Sequence, residues 1–105
     1  MKKAALLMLL FLSTINQYLL QAQDKQSTVV ITGRVVSFEE SLGLEGVTIT
    51  EKGTKNTSGT HADGTFAISV SSKEAVLVFS LDDYENVELK LTQSTDYAIV
   101  LRRKE

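Results

Sequence analysis

His61-Ala62-Asp63-Gly64-Thr65-Phe66-Ala67-Ile68-Ser69-Val70 joins a turn signal directly to a strand signal. Asp-Gly is a strong short-range hairpin signal, because Gly takes positive φ freely and Asp hydrogen-bonds its own turn backbone. Phe66, Ile68 and Val70 then alternate with Thr65, Ala67 and Ser69. Alternation with period two predicts a strand with one buried face. The stretch is expected to form a tight turn between two short strands, with Phe66 starting the second strand into the core.

The same period recurs on both sides of this stretch. Val29, Ile31 and Val35 share a face with Gly33, and Val47 and Ile49 alternate with Thr48 and Thr50. Val87, Leu89 and Leu91 alternate with Glu88, Lys90 and Thr92, and Tyr97, Ile99 and Leu101 close the series. Ala75 to Leu81 is apolar on both faces, which predicts a central strand covered on both sides or one passing under the sandwich edge. The spacers are polar: Ser37 to Gly46, Gly53 to Gly59, Ser71-Ser72-Lys73, Asp82-Asp83 and Gln93 to Asp96. About seven short strands at this spacing, with no helical periodicity, predict an all-β sandwich or small barrel.

The amino terminus has a different grammar. Lys2 and Lys3 precede a nearly unbroken apolar run from Ala4 to Leu12, and Ala22 supplies a small residue for cleavage. These are the parts of a secretory signal peptide. A membrane anchor needs about 20 strongly apolar residues, and Ser13, Thr14, Asn16, Gln17 and Gln21 interrupt the stretch. The expected organisation is a signal peptide at 1–22, a flexible leader at 23–27 and one domain at 28–105, with no transmembrane segment in the mature chain.

Composition narrows the function. The chain has 105 residues and a formal net charge of −2. Loss of Lys2 and Lys3 leaves nine basic and thirteen acidic residues, a net charge of −4. No nucleic acid partner is expected, since phosphate binding needs a concentrated basic face. The absence of cysteine rules out a disulfide framework and a thiolate metal site.

Ile31-Thr32-Gly33-Arg34-Val35, Leu44-Glu45-Gly46-Val47-Thr48-Ile49, Lys52-Gly53-Thr54, Gly59 to Phe66, and Ala75 to Ser80 followed by Tyr84 stand in this order along the chain. Read together, they resemble the carboxypeptidase-regulatory-like domains, and within them the amino-terminal domain of SusC/RagA-type TonB-linked outer-membrane receptors. The resemblance covers roughly Val29 to Leu101. It implies a seven-stranded, transthyretin-like Greek-key sandwich in a Gram-negative envelope. The matching residues are scaffold residues. Gly33 is expected to permit a close chain approach, Gly46, Gly53 and Gly64 to sit in turns, Asp63 to hold its turn, and Phe66 and Tyr84 to pack. The sequence departs from the family pattern at Glu45 (usually proline), Asp83 (usually glycine) and Leu81 (usually aromatic). The receptors continue into a plug and barrel beyond this domain, so the expectation here is the module alone or a fragment of a receptor gene.

His61 with Asp63 lacks the alternating oxygen ligands of a calcium loop, so no metal and no cofactor are expected. His61 has no orienting partner identifiable for a catalytic triad. Transthyretin-like folds include hydrolases that use histidines, an arginine and a terminal Tyr-Arg-Gly-Ser, and the resemblance fails at those residues: this chain has one histidine, His61, and ends Leu101-Arg102-Arg103-Lys104-Glu105. Glu39-Glu40 and Asp82-Asp83 are adjacent acids, which in an extended segment face opposite ways and read as solvated loop charges. Arg102-Arg103-Lys104 reads as a solvated tail. The expected function is a non-catalytic, exported module that docks onto an unidentified envelope protein through a sheet edge, linked to TonB-dependent uptake. The alternative is a glycan or small-ligand module using Tyr84 and Tyr97.

Overall fold

The computed structural model describes residues 28–105; the expected signal peptide and leader lie outside them. Seven strands form: β1 (Val29–Ser37), β2 (Thr48–Glu51), β3 (Thr57–Gly59), β4 (Thr65–Val70), β5 (Val76–Ser80), β6 (Val87–Lys90) and β7 (Asp96–Leu101). They make two sheets, one of order β4-β1-β7 and one of order β3-β2-β5-β6. The all-β sandwich expected from the alternation is the fold. No helix among the described residues is long and apolar enough to cross a membrane.

The inward face of each strand supplies the core. Ile31 and Val35 of β1, Phe66, Ile68 and Val70 of β4, and Ile99 and Leu101 of β7 meet Ile49, Leu77 and Phe79 of the other sheet. Phe66 and Phe79 pack edge-to-face across the sheets, with ring centroids 5.4 Å apart. Burying a side chain of this size contributes roughly 1.5–3 kcal/mol. β1 is central in its sheet, antiparallel to β4 and parallel to β7. The parallel pair follows from the long return path, since a hairpin joins only antiparallel neighbours.

Two readings of the sequence are corrected. The polar stretch Gly53 to Gly59, expected as a connection, contains β3, whose residues Thr57, Ser58 and Gly59 pair with Thr50, Ile49 and Thr48. Three residues at a sheet edge bury too little to carry an apolar pattern, so the alternation had nothing to report. The second concerns the turn at Asp63-Gly64. Gly64 N–H donates to the His61 carbonyl at 2.9 Å, and His61 N–H donates to the Thr65 carbonyl at 2.9 Å. The tight turn forms, but the strands on either side belong to different sheets. Thr60 holds its approach to the second sheet, its Oγ1 accepting from Val47 N–H at 2.9 Å and donating to the Leu44 carbonyl. The turn is thus a crossing between sheets, not a hairpin within one.

β5 is central in its sheet, between β2 and β6. Its inner residues Leu77 and Phe79 are fully buried, whereas Val76, Val78 and Ser80 on the outer face are half-buried. Lys52, just past the end of β2, and Glu88 of β6 form an ion pair at 2.6 Å on either side of β5. Their aliphatic stems cover apolar surface beside them while the charges stay in water.

Candidate interaction edge

The residues expected to shape the scaffold fall at turns and close approaches. A β-carbon on Gly33 would lie 2.8 Å from the Phe66 ring. Gly46, Gly53 and Gly64 have φ of +79°, +82° and +85°. Asp63 Oδ1 accepts from the Thr65 hydroxyl at 2.6 Å and from Thr65 N–H at 3.0 Å. Those hydrogen bonds hold its carboxyl below the usual carboxylate range. Tyr84 is buried against the core, and its hydroxyl accepts from Arg103 Nε at 3.3 Å. Asp83, at the position where the family carries glycine, has φ of +72°.

The groups tested for chemistry do not assemble. Among the described residues, no cluster of three or more His, Asp or Glu is placed to hold a metal ion. Glu40 is ion-paired with Arg103, and Glu39 Oε1 accepts from Arg103 N–H at 3.3 Å. Of the acids and bases expected as solvated charges, Glu39 and Glu40 therefore bind Arg103. The Arg102 guanidinium sits 3.7 Å over the Phe38 ring, and Lys104 N–H donates to the Asp83 carbonyl at 2.8 Å. Sequence spacing gives no sign of the contacts with Phe38, Glu39 and Glu40, because these residues lie more than sixty positions from Arg102 and Arg103. A recess of about 300 Å³ beside Asp82, Asp83, Asn86 and Lys104 is shallow and polar. Tyr97 is half-buried, and its hydroxyl closes the turn after Leu91, donating to the Ser94 carbonyl at 2.8 Å and accepting from Thr92 N–H at 3.0 Å. Tyr84 is thus taken up by packing and the Tyr97 hydroxyl by its turn.

What remains distinctive is how the four sheet edges are finished. On β4 the outward carbonyls of Ala67 and Ser69 accept from Ser58 Oγ at 2.7 Å and Asn56 Nδ2 at 2.6 Å. β3 is three residues long. The register with β5 aims the free groups of β6 outward at Glu88 and Lys90, and charged side chains there discourage pairing with another chain. At Ala98 and Val100, β7 has none of these protections. Thr32 N–H donates to the Thr95 carbonyl and Phe38 N–H to the Leu101 carbonyl, which fixes the phase of the parallel pair. The odd-numbered residues of β7 therefore bond to β1, and Ala98 and Val100 turn their N–H and C=O groups away from it, with no partner among the described residues.

The open stretch is short. Ser94 Oγ bonds to the backbone of Asp96 at one end, and Glu85 N–H takes the Arg102 carbonyl at the other. The outer face beside it is unusually apolar. Val100, Phe38 and Leu42 are 46%, 50% and 61% exposed, and Val36 lies next to Val100 across the β1–β7 pair. The amino-acid sequence carries a signal for it. The edge strand β6 carries Glu88 and Lys90 on its outward face and β4 carries Thr65, Ala67 and Ser69, whereas β7 carries Ala98 and Val100.

The chain matches known proteins along its described length. The family model for the CarboxypepD_reg-like domain matches residues 31–105. TonB-dependent receptor P3 of Formosa agariphila is 31% identical over 101 residues, covering 96% of this chain and 10% of that receptor. TonB-dependent receptor P39 of the same organism is 36% identical over 89 residues, covering 84% of this chain and 8% of the receptor. The chain thus spans about a tenth of the length of these relatives. A chain of the type II cohesin–X-dockerin complex of Acetivibrio cellulolyticus superposes with a TM-score of 0.55 at 16% identity, covering 70% of this chain and 56% of that one. At that identity the likeness is one of fold.

Proposed function

The chain belongs to the CarboxypepD_reg-like domain family, and from that premise we propose that it is a non-catalytic interaction module of the cell envelope that accepts an extended strand of another polypeptide along β7. The observation that carries this is the edge itself: four backbone groups of Ala98 and Val100 stand open, beside exposed Val100 and Phe38. Strand addition to an exposed edge draws its affinity from backbone hydrogen bonds and its specificity from alternate side chains. Export through the signal peptide at 1–22, an envelope location and a link to TonB-dependent uptake belong to the same proposal. Their support is the amino-terminal sequence and the two receptors that share this domain.

A photo-crosslinking amino acid placed at position 100, with position 88 on the guarded β6 edge as control, tests the reading in intact cells. Adducts to a polypeptide at position 100 and not at 88 are expected. Equal labelling at both positions, or none at either, overturns it. The glycan alternative has less support, since both tyrosines are engaged in packing and turn closure.

A further inference from the structure

The open edge of β7 is complementary to itself. Its outward face reads Asp96, Ala98, Val100, Arg102, with an acid at one end and a base at the other. Laid antiparallel against a second copy about an axis through Ile99, Ala98 faces Val100 of the other chain, and Asp96 faces Arg102. In that register Ala98 and Val100 form hydrogen-bonded pairs with their counterparts, so each copy's four open backbone groups find partners at once. A slip of one residue places the open groups out of phase. A slip of two, centring Ala98 on Ala98 or Val100 on Val100, breaks both charge pairs and leaves backbone groups unmatched.

Resting on the reading of β7 as the binding edge, we propose that the strand it accepts is β7 of a second copy of this chain. Two observations carry the choice of occupant. The first is the charge pattern: among the described residues Arg102 stacks on Phe38 and makes no ion pair, and the Asp96 carboxylate accepts only from the Thr32 hydroxyl at 2.9 Å. Each therefore retains a face for an opposite charge. The second is length: the open groups end at Asp96 and Arg102, so a partner needs the same short span and no more. The axis runs along the sheet normal, so the two copies share one continuous sheet of order β4-β1-β7-β7-β1-β4. Their apolar outer faces, with Val36, Phe38 and Val100, come to lie side by side.

Sedimentation equilibrium of the chain as recovered after export tests this, with circular dichroism melts confirming that each variant is folded. The interface is small, so the series runs up to roughly 1 mM. Dimer formation is expected. Val100→Lys, Asp96→Arg and Arg102→Asp should each weaken it by at least about tenfold, and the double exchange Asp96→Arg with Arg102→Asp should restore it. Should Arg102→Asp lower the melting temperature through loss of the Phe38 stack, Arg102→Gln replaces it, and the acid side of the cycle is read from Asp96→Arg. A monomer throughout, or a dimer indifferent to these substitutions, overturns the proposal. A monomer whose position 100 still crosslinks to a different protein overturns self-pairing alone and leaves the interaction reading standing.

Discussion

The carbonyl oxygen of Tyr97 occupies the space that a β-carbon on Gly33 would fill. This contact sets how closely β7 lies against β1, and the Phe66 ring closes the same space from the β4 side. Gly33→Ala has backbone on one side and a packed aromatic on the other, so neither neighbour yields easily. It should destabilise the domain by about 3 kcal/mol, at the upper end for overpacking. Urea denaturation checks this, and a loss below about 1 kcal/mol would mean the β1–β7 pair relaxes more readily than its contacts allow.

Phe79 of β5 joins the sheets through the Phe66 ring and is fully buried. Phe79→Ala should cost about 3–5 kcal/mol, a large part of the stability of a domain this small. The same truncation at exposed Phe38 should cost far less and act mainly by freeing Arg102. Parallel melts of the two variants make the comparison.

Glu51 is a buried acid with assigned partners. Its Oε1 accepts from Asn56 Nδ2 at 3.0 Å and its Oε2 from Ser71 Oγ at 2.8 Å, and these bonds hold its pKa below the ordinary value. A carboxyl whose pKa is lower folded than unfolded stabilises the protein above the unfolded value, and that stabilisation is lost as pH falls through the folded one. Stability should therefore decline from about pH 5 downward. Glu51→Gln sets an amide nitrogen against one of the two donors, costs about 1–3 kcal/mol at neutral pH and flattens the acid limb. Thermal melts from pH 7 to pH 3 report both effects.

Asp83 holds φ of +72°, a region L residues enter at a cost that Asp bears better than most. Asp83→Gly should be neutral or stabilising by up to about 1 kcal/mol. Asp83→Val should destabilise by about 1–2 kcal/mol, because a β-branched side chain tolerates this backbone poorly. Chemical denaturation of the pair separates backbone strain from loss of the carboxylate, which both variants share.

The strands that bury a face were legible because burial writes a period of two: β1, β4, β6 and β7 stand close to where Val29–Val35, Phe66–Val70, Val87–Leu91 and Tyr97–Leu101 alternate. β3 was not, since Thr57, Ser58 and Gly59 contribute pairing and capping instead of apolar area. The turn at Asp63-Gly64 was readable locally, but which sheets it joins depends on Thr60 and Leu44, sixteen residues apart. The interaction edge sat between these cases. Ala98 and Val100 were visible as apolar residues on an outward face, but only the four edges compared together show that β7 is left open. The Arg103–Glu40–Tyr84 cluster had no local signal at all.

The claim that β7 is an open, strand-accepting edge is tested most directly by amide hydrogen exchange at Ala98, Ile99 and Val100. Ile99 N–H bonds to β1 and should exchange slowly in every state. Ala98 and Val100 should exchange rapidly in the dilute free chain and become protected together when the chain associates with itself or with a polypeptide captured through position 100. Rapid exchange at both residues in the associated state, or protection of both in the dilute monomer, would contradict the account.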